Sequence, residues 1–216
     1  MSVLVALAIW GLHARAQTNP QPAVPEPNPA VAAQAPTIAP APLPIVDPAK
    51  ELKGPALLEA LRKGGYVLYM RHAITGTVTE KCEKSNLSPA GEEQARNVGA
   101  AIRELKIPIG AVRSSQPCRC VDTARLLGLG DVDITEDLNP MAPREGFDII
   151  AARFNRLNET PAAGKNTVLV SHLHGSRNKS EWLHLEMGEI IVFRPIANAR
   201  PEPVARIPVA GWAALK

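Results

Sequence analysis

The sequence predicts an α/β domain built on a largely parallel sheet, and three observations carry that prediction. From Glu51 onward, helical and strand patterns alternate, which is how repeated strand-helix-strand units read. Two runs, "YVLYM" (Tyr66 to Met70) and "NTVLVS" (Asn166 to Ser171), are apolar at nearly every position or, in the second, through their centre, as strands are when helices cover both faces of a sheet. The chain has 216 residues, 45% of them apolar, enough for one core of ordinary size.

The elements follow in order. "GPALLEALRKGG" reads as a helix closed by glycines, and "YVLYM" as the first strand, running into Arg71 and His72. Ser88 is placed to cap a second helix, with Pro89 at its first position and Glu92 and Glu93 in the first turn, where carboxylates suit the helix dipole. Ala95, Val98, Ile102 and Leu105 make its apolar stripe. "GAVRSS" is a second strand, "CVDTARLLG" a helix, "VDIT" a third strand and "NTVLVSH" a fourth, again ending in histidine. "EIIVFRP" and "PVARIPV" are two more strands, expected to pair near a sheet edge.

Two segments precede this domain. Residues 1–16, "MSVLVALAIWGLHARA", hold an apolar run from Val3 to Leu12 and then the small-x-small triplet Ala14-Arg15-Ala16, the pattern of a secretory signal peptide, although the usual positive residues do not precede it. The run is too short for a permanent membrane span, and no cysteine follows the triplet to carry a lipid. Residues 17–50 are dominated by Pro and Ala and read as a disordered or polyproline-like spacer. The expected product is periplasmic or secreted, with no stable membrane insertion after signal cleavage. A net charge of +3, from 24 basic and 21 acidic residues without a basic block, argues against a nucleic-acid partner. The eight aromatic residues are not interleaved with basic clusters, so Trp182 and Trp212 read as packing groups.

Ligands of open α/β sheets sit beyond the carboxyl ends of the strands. If the strands ending at Arg71-His72 and at His172 are parallel neighbours, both histidines emerge at one rim. The loop after "AVRSS" would bring Arg119 there as well. Two arginines, two histidines and a nearby helix N-terminus suit a dianionic phosphoryl group, because guanidinium forks match its oxygens.

These residues resemble the histidine phosphatase superfamily, which includes the cofactor-dependent phosphoglycerate mutases. "LYMRHAITG" is similar to the family's Arg-His-Gly signature, with Ala73 in the glycine position. "NLSPAGEEQARNVG" resembles the segment opening its first long helix, "VRSSQPCRCVDTA" the serine-rich loop carrying a second arginine, and "TVLVSH" the strand presenting a second histidine. The resemblance implies a three-layer α/β/α sandwich over residues 51–216 and a metal-independent phosphohydrolase without a cofactor. His72 would be the nucleophile, with Arg71, Arg119 and His172 binding the phosphoryl oxygens of a small phosphoester, pyrophosphate or similar compound. The family's usual proton donor, two residues after a leucine, is absent: Leu138 is followed by Asn139 and Pro140. Glu136 and Glu189 are the candidate donors, with Asp137 and Glu145 also nearby in sequence. Mutase activity is not expected of an exported protein.

Three further expectations complete the reading. Cys82 and Cys118 lie in loops that this fold brings to the same rim, and an oxidising compartment favours a Cys82–Cys118 disulfide, with Cys120 the competing thiol. His172 and His174, with Cys118 and Cys120, are metal-ligand types, but no carboxylate completes a standard spacing near His174. The rival from another class is a non-catalytic envelope module that binds phosphorylated ligands in the same anion pocket.

Overall fold

The strands that end at His72 and His172 lie side by side in the middle of a six-stranded sheet. The computed structural model describes residues 46–77, 86–172 and 185–216, all within one compact unit. In chain order the elements are α1 (Gly54–Lys63), β1 (Val67–Arg71), α2 (Pro89–Glu104), β2 (Ile109–Ser115), α3 (Cys118–Leu127), β3 (Val132–Thr135), α4 (Ile149–Leu157), β4 (Asn166–Ser171), β5 (Ile190–Arg194) and β6 (Glu202–Ile207). A 3-10 turn spans Glu136–Leu138 and a 3-10 helix spans Val209–Leu215. The sheet order is β3-β2-β4-β1-β5-β6, parallel through its first four strands and antiparallel at β5 and β6. The last two strands therefore pair at an edge, as their sequence predicts.

Alternation along each strand divides the core between the two faces. Leu68 and Met70 of β1 and Val168 and Val170 of β4 join a large cluster with Leu57, Leu61, Val98, Ile102 and Leu127 from α1, α2 and α3. Val67, Tyr69 and Leu169 point the other way, packing with Ile191, Phe193, Leu138 and Leu157. Helices thus cover both faces, and the layers are three. Trp212 is buried in the larger cluster, the packing role expected of it.

The caps follow local chemistry. Ser88 accepts the Gly91 N–H at 3.0 Å to start α2, and Gly128 ends α3 in the left-handed region at φ 61°. α3 begins at Cys118, two residues ahead of the expected start, because Pro117 already sets the first turn. α4 is an element that the sequence reading lacks. Asp148 caps it by accepting from Ile150 and Ala151, but its buried residues include Arg153, which breaks the apolar stripe that would reveal it. Among the described residues, no helix is long and apolar enough to cross a membrane.

Candidate active site

Parallel pairing places Arg71 beside Ser171, so the next residue of each strand, His72 and His172, leaves the sheet at the same rim. The His72 N–H donates to the Ser171 carbonyl at 2.9 Å, and the two imidazole rings meet edge to face with centroids 5.5 Å apart. Only 6% of His72 and 4% of His172 is exposed. Arg119, the second residue of α3, reaches the rim from the neighbouring strand-to-helix turn, with Nη2 3.0 Å from His172 Nδ1. Arg71 donates through Nη1 to the Leu185 carbonyl at 2.7 Å, while its buried Nε has no partner among the described residues.

Hydrogen bonds fix which ring nitrogens carry protons. His72 Nδ1 lies 2.9 Å from the Ala73 carbonyl, which can only accept, so Nδ1 holds the proton and Nε2 is bare. At His172 the logic reverses. Arg119 can only donate, so Nδ1 is bare, and the Nε2 proton goes to Ser115 Oγ at 2.9 Å. Ser115 passes its own proton to Asn139 Oδ1 at 3.0 Å, and that oxygen also accepts the Gln116 N–H at 3.1 Å. The Asn139 amide nitrogen donates to Gln116 Oε1 at 2.7 Å, so the chain is closed at its far end. Cys120 Sγ also approaches His172 Nε2, at 3.4 Å.

Both histidines are held uncharged. Burial, with Arg119 and Arg71 adding like charge, pushes His72 down to about 4 against an opposing hydrogen bond to Ala73. Burial and then Arg119, His72, Arg153 and Arg71 push His172 down to about 2. Burial raises the Cys120 thiol to about 12, which leaves it inert.

The loop leaving β1 is braced on three sides. The Ala73 N–H donates to Thr123 Oγ1 at 3.0 Å, and Thr123 in turn donates to the Arg119 carbonyl, tying the histidine loop to the arginine helix. The Ala73 side chain is fully buried in a small cluster with Leu87 and Ala95, so its methyl packs into the domain. Gln94 links the Ile74 N–H to the Met187 carbonyl. Gly91 sits so close beneath that a Cβ there would lie 1.9 Å from the Ile74 carbonyl oxygen.

The structure engages both candidate proton donors elsewhere. Glu189, buried at 4% exposure, accepts from Arg206 and from the Glu186 N–H, and Glu136 pairs with Arg144. Neither carboxylate contacts His72 or His172 among the described residues. Asp137 pairs with Arg156. Cys82 and His174 lie outside the described residues, while Cys120 is a buried free thiol and so takes no disulfide. No group of three or more potential metal ligands occurs among the described residues. The sequence reading missed the parts played by Ser115, Gln94 and Asn139. Asn139 stood out only for the acid that is absent beside it.

Residues 67–145 match the model of the histidine phosphatase superfamily (branch 1), a stretch that contains Arg71, His72 and Arg119. Over that stretch the chain is similar to the histidine phosphatase superfamily. Its fold is shared with the protein histidine phosphatase SixA solved with tungstate, at TM-score 0.53 and 16% identity over 67% of this chain and 97% of that one. The SixA-type protein of Nakamurella multipartitia is similar at TM-score 0.51 and 17% identity, over 67% of this chain and 95% of that one. No curated protein matches the chain in sequence. His172 lies beyond the matched stretch, and it is the sheet that brings it to His72.

Proposed function

We propose that the domain is a metal-independent phosphohydrolase with His72 as its nucleophile, acting on a small phosphoester, pyrophosphate or similar phosphorylated compound. One observation carries the reading: His72 presents a bare, uncharged Nε2 in the field of Arg71 and Arg119, with its other nitrogen tied to a backbone carbonyl. Nε2 forms a bond to phosphorus as the ester P–O bond breaks, and the leaving oxygen departs with its electron pair and takes a proton from solvent. Water then attacks phosphorus, the N–P bond breaks, and its electron pair returns to Nε2. The balance is ester plus water to alcohol plus phosphate. Arg71, Arg119 and His172 hold the non-bridging oxygens, supplying the neutralisation that a metal ion would otherwise give. His172 joins as a donor once Arg119 turns from Nδ1 to the anion and Nδ1 takes a proton, which the dianion favours. The neighbour solved with tungstate, a tetrahedral oxyanion, supports the same use of the fold.

Purified protein should hydrolyse phenyl phosphate in excess EDTA. His72→Ala should lose turnover while remaining folded, and Arg119→Ala should lower kcat about 10²- to 10³-fold, the cost of removing one transition-state donor. A His72→Ala variant that kept most of its kcat would overturn the covalent mechanism. Oxyanion binding without turnover by the intact protein would instead identify a binding module. The setting we infer is outside the cytoplasm, with the Cys82–Cys118 pair oxidised, supported by the signal-like pattern of residues 1–16 and by the position of Cys118 one residue before Arg119.

A further inference from the structure

Arg153 is a buried cation that the chemistry above does not use. It sits on α4 with 6% of its surface exposed, and the helix's other buried residue is Leu157. An apolar side chain would suit that face, whereas an ionised group without a counter-charge is costly to bury. Its Nη2 donates to the carbonyl of Asn139, a neutral acceptor, and its buried Nε has no partner. No carboxylate among the described residues pairs with it.

Two links fix where this charge lies. Asn139 leads through Ser115 to His172. Tyr69, which interacts electrostatically with the guanidinium, donates its hydroxyl to the His172 carbonyl at 3.0 Å. The guanidinium therefore lies beside the point at which β4 delivers His172 to the rim. Arg71 and Arg119 approach the same point from β1 and α3, and after burial itself Arg119, His72, Arg153 and Arg71 all disfavour a proton on His172. Buried cations gathered around one point favour an anion there, and little solvent lies between to screen them. We propose that Arg153 is a third cation of the phosphoryl site, which strengthens anion binding through its field without touching the substrate, its counter-charge being the bound dianion. This rests on the phosphohydrolase reading and adds a residue of α4 to that site.

The test measures the dissociation constant of tungstate by calorimetry, alongside turnover of phenyl phosphate, in variants whose fold is checked by circular dichroism. Arg153→Met removes the charge and the donor, Arg153→Gln removes only the charge, and Arg153→Lys keeps both. The first two should weaken tungstate binding about tenfold, and Arg153→Lys should stay within about threefold of the native protein. Ile149→Glu places a carboxylate one helical turn before Arg153, at a half-buried position, and leaves the arginine in place. It should also weaken tungstate binding severalfold, and it decides the matter if Arg153→Met does not fold. Native-like affinity in Arg153→Gln would overturn the field effect and leave Arg153 a strut for Asn139. Affinity in Arg153→Lys as poor as in Arg153→Met would overturn it too. Either result with turnover intact leaves the phosphohydrolase reading standing, whereas tungstate binding that follows the charge at position 153 without turnover of any ester supports the third cation and sinks the hydrolase.

Discussion

Asn139 is a neutral amide that orients a histidine through a serine, and its effect on catalysis should exceed its size. Without it, Ser115 loses its acceptor and its hydroxyl is no longer held in place to accept from His172 Nε2, so the ring is less firmly oriented. Asn139→Ala should lower kcat/KM about tenfold. The sharper test is Asn139→Asp, which puts a carboxylate near the same chain and stabilises protonated histidine. In the native protein His72 titrates at about 4, so it stays nucleophilic above that pH, and the acid limb of kcat/KM should fall near there rather than near 6.5. In Asn139→Asp the limb should move upward, because a nearby negative charge raises a depressed histidine pKa. An unshifted limb would reduce Asn139 to a packing role. None of this was legible in the sequence. An asparagine before a proline carries no mark of the serine it holds, since the partners come from a different strand.

Between elements, the decisive contact is α2 under the β1 exit. Gly91 packs against the Ile74 carbonyl at a distance no side chain permits, and its neighbour Gly99 would clash equally with Leu127 of α3. Gly91→Ala must therefore push α2 and the histidine loop apart. Overpacking of this kind costs about 3 kcal/mol, or a fall in Tm of roughly 6–12 °C in a domain of this size. Thermal melts of the variant check it, and a Tm within about 2 °C of the native value would show that the loop yields freely. The start of α2 was legible from its cap, Ser88 before Pro89, and the segment around Gly91 from its resemblance to a family motif, but the close approach of Gly91 to Ile74 was not. α4 was not legible, because buried Arg153 occupies its inward face. That guanidinium donates to the Asn139 carbonyl, a demand set by the site rather than by helix formation.

At the scale of the whole molecule, the two histidine-ended strands were legible because central parallel strands must be apolar throughout. Their adjacency was the condition on which one rim for Arg71, His72 and His172 depended, and β1 and β4 do pair in parallel. Compartment is a property of the whole chain, and its prediction belongs here. Protein recovered from an extracytoplasmic fraction without reductant should begin after Ala16 and yield a Cys82–Cys118 disulfide peptide on mapping. The long loop it closes would stabilise the fold by up to about 4 kcal/mol. A freely alkylated Cys82, or a chain that retains Met1 in the cytosol, would refute the export reading.

The sheet order also governs when the domain can become itself. β1 is made first, yet its neighbours are β4 and β5: Val67 pairs with Thr167 and with Phe193. Its backbone groups have no sheet partner until some hundred residues more have emerged, and contacts so distant along the chain form slowly. An N-terminal fragment therefore holds His72 without His172, which only β4 brings to the same rim. If the chain is exported in extended form, as we propose from the pattern of residues 1–16, such late closure would keep it pliable during passage and delay assembly of the rim until the far side.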